Sequence, residues 1–327
     1  MAYSGDNGSL RSGMLAGFVI SFTGAIFLST KAIIIKKAFH ATSVDALTLL
    51  TLRMLFSLPF YAVAAVFIGR RRSASDGTPP TRPARMTRRQ WTWVAVLGIL
   101  GYYISSYFDF LGLQYISAGL ERLILFLYPS LAVLINAMAF RQRISRPQIW
   151  ALVLTYTGIG IAYFGELRVD VGNAYFYWGS LLVFLCAITY AIYLAGMGRM
   201  VSLISPAQFT TYSMLVAAGA VFLHFIVRGI ANGHLSLPAD HRLWMYSILL
   251  ALVATVLPSF MISAGMKKIG ANNAAIVTSI GPVSTILQAH FILGDPIFAE
   301  QIIGTVLVIA GVLLTGWKGR KPEMELD

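Results

Sequence analysis

Five charged residues, Lys31, Arg53, Asp109, Glu121 and Arg122, lie inside long apolar stretches of this chain. Placing a charge in hydrocarbon costs at least about 2.5–3.5 kcal/mol on insertion scales, so such residues pair with one another or face a wet cavity. At about 1.5 Å of rise per residue, each falls roughly 5–10 Å below the same end of its stretch, so the five share one depth. Glu121 and Arg122 are neighbours and project in different directions from a helix. One can face a cavity while the other pairs across a helix interface. Asp109 with Arg53 or Arg122 is the expected pair. The chemistry open to this set is contact with a charged solute, gating, or proton movement at Glu121 or Asp109, whose hold on a proton depends on whether a cation stays beside it. The same five could equally do no more than fix the first helices against one another. Elsewhere the sequence offers little reactive chemistry. A single cysteine, Cys186, rules out a disulfide within the chain and argues against a thiolate metal site. No metal and no cofactor are expected. His40 and Asp45 match a His-x4-Asp acyltransferase pattern, in which the Asp would orient a His general base. They fall in a short connection with no room for a catalytic domain.

The elements that carry these residues are apolar throughout. The chain is 57% hydrophobic and 12% charged, with a mean hydropathy of +0.73. Soluble domains carry about 25% charged residues, so the bilayer is the expected solvent. Spans are expected at 14–35, 46–68, 93–113, 118–140, 148–165, 177–198, 207–227, 244–266, 271–293 and 299–317. The predicted fold is an all-α membrane protein of ten transmembrane helices. Residues 1–13 read as a disordered tail, 69–92 as a basic loop and 318–327 as a charged tail.

Ten spans put both termini on one side, and charge says which. Arg11, Arg70, Arg71, Arg72, Arg82, Arg85, Arg88, Arg89, Arg141, Arg143, Arg146, Arg199, Lys267, Lys268, Lys318, Arg320 and Lys321 fall on the side of the termini. Lys36, Lys37, Arg122, Arg168, Arg228 and Arg242 fall on the other. The excess fits cytoplasmic termini under the positive-inside rule. It also accounts for the net charge of +12 without a nucleic-acid partner.

A repeat organises the spans. Residues 112–165 recur from Gly265 at a constant offset of 153: Gly112 meets Gly265, Ala118 meets Ala271, Pro129 meets Pro282, Gln148 meets Gln301 and Gly158 meets Gly311. Each half, 14–165 and 166–317, holds five spans. An odd number forces the second half to enter the membrane upside down, giving two inverted five-helix repeats. The loop after the fourth span carries Arg141, Arg143 and Arg146, whereas its mate carries Asp295 and Glu300, as inversion requires. The five buried charges are confined to one half, since the mates of Asp109, Glu121 and Arg122 are Ile262, Ala274 and Ala275.

Pro129 and Pro282 fall near the middle of the fourth and ninth spans. Each lacks an N–H, so each is expected to kink its helix and free backbone carbonyls near the midplane. Phe126, Tyr128, Thr278, Ser279 and Gln288 are the candidate solute contacts beside them. Tyr102, Tyr103 and Tyr190 are deep enough to offer a ring and a hydroxyl to an amphiphilic or cationic solute, although any one of them could simply pack. Trp91, Trp93, Trp244 and Trp317 lie near span ends as interfacial anchors, and Gly13 with Gly17 makes a close-packing step in the first span.

Paired spans with central prolines, each followed by a polar turn and a glycine-containing helix, resemble the EamA domain. Two such domains make up the drug/metabolite transporter superfamily. The run DFLGLQYISAGLERLILFLYPSL is similar to a bacterial subgroup, and the resemblance covers about 14–317. The acidic residue usual after the fourth span is replaced by Arg141–Gln142, while the one after the ninth is kept as Asp295. The resemblance implies a permease that moves a small organic solute, an amino acid or related compound, across the bacterial inner membrane. Export is the expected direction and protons are the possible coupling ion. A membrane-embedded enzyme acting on lipid, or a non-transporting sensor or scaffold, are the other readings.

Overall fold

A computed structural model describes residues 6–74, 86–141, 144–169, 172–200, 206–233 and 240–316, and among these the secondary structure is helical. The helices are α1 (Asp6–Ala41), α2 (Ala46–Ala74), α3 (Arg88–Gly98), α4 (Ser105–Gly112), α5 (Ala118–Leu125), α6 (Tyr128–Phe140), α7 (Arg146–Val169), α8 (Phe176–Met200), α9 (Pro206–Ala231), α10 (His241–Ala251), α11 (Leu257–Thr278), α12 (Gly281–Gln288) and α13 (Ala299–Gly316). Three π-helical segments, Ile99–Ile104, Leu252–Val256 and Ala289–Leu293, join α3 to α4, join α10 to α11 and extend α12.

Among the described residues nine spans are long and apolar enough to cross a membrane. The tenth expected span corresponds to a shorter apolar helix, Ala299–Leu314, and Trp317 lies outside the described residues. The tail expected over 1–13 is helical from Asp6. The basic loop expected over 69–92 is helical at both ends, since α2 reaches Ala74 and α3 starts at Arg88. No break occurs at 267–270, because α11 runs through to Thr278.

Hydroxyls inside the spans bond back to their own helix. Ser29 Oγ donates to the Ala25 carbonyl, Thr51 Oγ1 to Leu47, Ser57 Oγ to Arg53 and Ser180 Oγ to Phe176. This lets polar residues sit in apolar surroundings at little cost. Ends are capped by side chains: Thr87 and Gln90 form a capping box on α3, Ser117 caps α5 and Asp240 caps α10.

The two prolines do not kink continuous helices. They follow true breaks. A turn at Phe126–Leu127 separates α5 from α6, and one at Ser279–Ile280 separates α11 from α12. Pro129 and Pro282 then sit in the first turn of the new helix, where a missing N–H leaves no intrahelical bond unmade. The two breaks share two backbone bonds at the repeat offset. Leu127 N–H donates to the Ile124 carbonyl as Ile280 does to Val277, and Leu131 N–H to Leu127 as Ser284 does to Ile280. The first two π segments also begin one offset apart, at Ile99 and Leu252.

Glycines set the helix contacts, and these are exchanged between the repeats. A Cβ on Gly158 would stand 2.7 Å from the Gly304 carbonyl, and one on Gly311 would stand 2.7 Å from that of Ala151. Helices α7 and α13 therefore touch through the same repeat positions from both sides. Likewise Gly112 of α4 abuts the Gly179 carbonyl of α8, and Gly265 of α11 abuts the Gly17 carbonyl of α1. Such backbone approach is how helices associate where lipid removes the usual hydrophobic drive. Introducing Leu at Gly158 should over-pack this contact by about 1–3 kcal/mol and lower the melting temperature of the purified protein. Gly160→Ala, which meets open space, should leave it unchanged; equal melting of the two variants would contradict the close contact.

At the start of α2, Asp45 accepts from the N–H groups of Leu47 and Thr48, from Thr48 Oγ1 and from Arg228 Nη1 at 2.6 Å. Partial burial pushes its carboxyl up, but the hydrogen bonds from Arg228 and Thr48 outweigh this and hold it below the usual range. Asp45 thus caps a helix and holds α9, rather than orienting His40. Its stabilising effect is complete above the ordinary carboxylate range and is lost as pH falls through the depressed native value. Asp45→Ala should cost about 1 kcal/mol, mostly as a lost cap, since the half-exposed ion pair adds little. The gap in melting temperature between wild type and variant should close on acidification; a gap that persists at acid pH would show that the carboxylate is not its source.

Candidate functional site

A cavity of about 450 Å³ lies inside the bundle, walled by α1, α2, the α3–α4 segment, α5, α6, α8, α9 and the α10–α11 segment. Its lining pairs residues one repeat offset apart: Gly101 with Ala254, Tyr102 with Thr255, Ser106 with Ser259, Asp109 with Ile262 and Leu125 with Thr278. The cavity therefore sits where the two repeats face each other, and the π segments supply part of its wall. In a π segment one carbonyl is displaced from the helical ladder; Thr255 Oγ1 donates to the Leu250 carbonyl five residues back.

The expected charges meet here, with a different pairing. Lys31 Nζ donates to Asp109 Oδ2 at 2.6 Å and stands 4.0 Å from Glu121 Oε1. Asp109 does not pair directly with Arg53 or Arg122. Arg53 Nη2 donates to Ser106 Oγ at 3.1 Å, and its guanidinium lies over the Phe110 ring at 5.2 Å. The Arg122 guanidinium lies over the Phe126 ring at 5.4 Å and against Gly281, where a Cβ would come within 2.7 Å of Nη2. Arg122 faces the cavity while Glu121, 0% exposed, is turned away from it toward Lys31. Adjacent positions on one short helix thus split into a wall contact and an interface contact.

The layer is incompletely satisfied. Asp109 Oδ1 and both oxygens of Glu121 are buried without a donor, and Arg53 Nε and Arg122 Nε are buried without an acceptor. The two carboxyls are close enough to interact electrostatically. Buried polar atoms left in this state are costly unless a ligand, a proton or water completes them.

Aromatic rings form another part of the wall. Tyr128 and Tyr190 meet edge to face with centroids 5.1 Å apart, and Tyr193 stacks on Tyr190 at 5.8 Å while its hydroxyl donates to that of Tyr102 at 3.1 Å. Tyr102, Phe126, Tyr128, Tyr190 and Thr278 line the cavity. Tyr103, Ser279 and Gln288 do not. The Tyr103 hydroxyl bonds His224 Nδ1 at 2.7 Å. The Ser279 hydroxyl is spent on the Ile276 carbonyl within the helix break. Gln288 Nε2 donates to Ser284 Oγ at 2.9 Å and to the Ile26 carbonyl at 3.4 Å, which turns it onto α1. Sequence reasoning missed Tyr61, Ser105, Ser106, Cys186, Thr210, Thr255 and Ser259 on the wall. The offset could have found two of these, because Thr255 and Ser259 are the mates of Tyr102 and Ser106.

Comparison with known proteins agrees with this architecture. The model of the EamA-like transporter family matches residues 15–164 and 177–317. The chain is similar to the uncharacterized transporter YcbK of Bacillus subtilis (strain 168), at 28% identity over 309 residues and 94% of each chain. It is also similar to the uncharacterized transporter YyaM of the same organism, at 26% identity covering 70% of this chain and 74% of that one. An uncharacterized transporter of Archaeoglobus fulgidus is 25% identical over 68% of this chain and 76% of its own. A solved crystal structure shares the fold, with a TM-score of 0.60 at 19% identity over 91% of this chain and 95% of that one. With apolar helices long enough to cross a membrane many times, the protein is a multi-pass membrane protein, and it belongs to the EamA-like transporter family.

Proposed function

We propose that the protein is a secondary active transporter that moves a small amphoteric organic solute, an amino acid or a close relative, by alternating access. The observation that carries this reading is the cavity itself. It lies between repeat-related helices, is closed at one end by the Lys31–Asp109–Glu121 layer, and offers unmatched acceptors and donors side by side. A solute ammonium can complete Asp109 Oδ1, a solute carboxylate can meet Arg53 and Arg122, and the Tyr102, Phe126, Tyr128 and Tyr190 rings suit an apolar body. The exchanged glycine contacts and the matched helix breaks support two five-helix halves in inverted orientation, ten spans in all. Both termini are then cytoplasmic, in the bacterial inner membrane, and the charged layer lies toward the outside. Export is the proposed direction.

Protons are the proposed coupling ion. Two buried carboxyls share one ammonium at the layer, and like charges so placed are relieved by a single shared proton. When a solute ammonium arrives at Asp109, the added positive charge makes the pair release that proton. Movement of solute is thereby tied to movement of charge.

The test is exchange of labelled amino acids by purified protein in proteoliposomes. Wild type should show saturable exchange, faster with an imposed proton gradient. Glu121→Gln should keep exchange but lose the gradient response, and Asp109→Asn should lower exchange about tenfold or more, the worth of one charged hydrogen bond. Gradient-driven uptake unchanged in Glu121→Gln would sink the coupling assignment. Exchange unaffected in Asp109→Asn would reduce the layer to a scaffold.

A further inference from the structure

A second chamber of about 330 Å³ lies at the end of the bundle beyond the charged layer. It is framed by the last turns of α1, the α4–α5 connection, the α7–α8 connection and the segment between the last π helix and α13. The two chambers share no lining residue. On α5, Gly119 faces the second chamber and Arg122 the first. On α1, Lys36 faces the second and Lys31 the first. Glu121 and the Lys31–Asp109 pair are the layer between.

The second chamber has acceptors to spare. Gln301 is 4% exposed and its Oε1 has no donor; Asp295 Oδ2 is buried and also has none. Helix capping does not account for Gln301. Its repeat mate Gln148 accepts from the Ser145 N–H and closes the start of α7, but the mate of Ser145 is Phe298. Gln301 instead packs its amide nitrogen on Gly119, where there is no room for a Cβ. The neighbouring groups are already committed. Asn173 Nδ2 donates to the Tyr115 carbonyl at 2.6 Å and its Oδ1 accepts from the Tyr175 N–H. Ser117 Oγ accepts from the Leu120 N–H, and Lys36 and Glu166 have contacts of their own. Lys36 stands within electrostatic reach of Asp295 without donating to Oδ2. With Asp295 and Glu166 against Lys36, the lining is acidic on balance.

Two buried acceptors, one of them a carboxylate, in an acidic chamber of this size call for a compact cationic donor. We propose that this chamber is a second binding site, selective for the ammonium group of a small organic molecule and held by Asp295 and Gln301. It deepens the transport reading by giving an ammonium-bearing solute a station on the far side of the charged layer. Binding itself does not depend on that reading. A free amine and the headgroup of an aminophospholipid present the same chemistry.

The experiment is equilibrium binding of radiolabelled ethylamine to the full-length protein in nanodiscs of phosphatidylcholine and phosphatidylglycerol. Wild type should bind saturably, and Asp295→Asn and Gln301→Leu should each weaken binding about tenfold or more while melting at the wild-type temperature. Asp295→Asn is the near-isosteric change, so it decides the matter if Gln301→Leu perturbs folding. Loss of ethylamine binding when phosphatidylethanolamine is added would identify the lipid headgroup as the occupant of the same ammonium site; retention would identify a soluble amine. Full displacement by equimolar sodium would overturn the selectivity. Absence of saturable binding in the folded wild type, or binding lost in Asp109→Asn but kept in Asp295→Asn, would overturn the site. None of these outcomes depends on solute flux, so failure here and failure of transport are separable.

Discussion

The structure depends on how it accommodates charge in a bundle that is otherwise apolar. Lys31, Asp109 and Glu121 are brought together from α1, α4 and α5, with a contact of 2.6 Å between the first two. A buried charge is tolerated only with a partner, and a buried pair only if its remaining hydrogen-bonding capacity is met. Here that second condition is met only in part: the Asp109 and Glu121 carboxyls reach each other, while Arg53 Nε and Arg122 Nε have no acceptor. The surplus lies on Asp109, Arg53 and Arg122 on the cavity wall and on Glu121 behind it. A purely structural network would gain from satisfying itself. Leaving acceptors and donors open beside a solute-sized space suits groups that exchange partners.

Symmetry explains why the space exists where it does. The helix breaks before Pro129 and Pro282, the π segments from Ile99 and Leu252, and the glycine contacts at Gly158 and Gly311 occur in both repeats at one offset. Broken helices and π segments both displace backbone carbonyls, and at membrane depth these are tolerated against protein or a watery cavity. The charges break the symmetry: the mates of Asp109 and Glu121, Ile262 and Ala274, line the same cavity as apolar wall. The charged positions of one repeat thus face apolar mates of the other across the cavity wall.

Much of this was legible in the sequence because bilayer solvent imposes strong rules. Apolar stretches long enough to span follow from the cost of exposing backbone or charge to hydrocarbon, and the repeat shows in Pro, Gln and Gly shared at one offset. Span depth alone brought the five charged residues together. Partner choice was not legible, because Lys31, Arg53 and Arg122 stand at one depth and depth says nothing about rotation around a helix. Tyr103, Ser279 and Gln288 were misplaced for the same reason: each lies near the cavity in height but points to His224, to its own backbone or to α1. The prolines were read as bends because a proline in an apolar run does not reveal whether its helix continues or restarts.

The central claim is that Asp109 and Glu121 hold a proton between them beside Lys31. Infrared difference spectra of the purified protein in nanodiscs, recorded across neutral pH, measure this directly through the stretching band of a protonated buried carboxyl. The account predicts one such band, absent in Glu121→Gln and shifted in Asp109→Asn. A wild-type spectrum without a protonated buried carboxyl, or a band unaffected by either substitution, would contradict it.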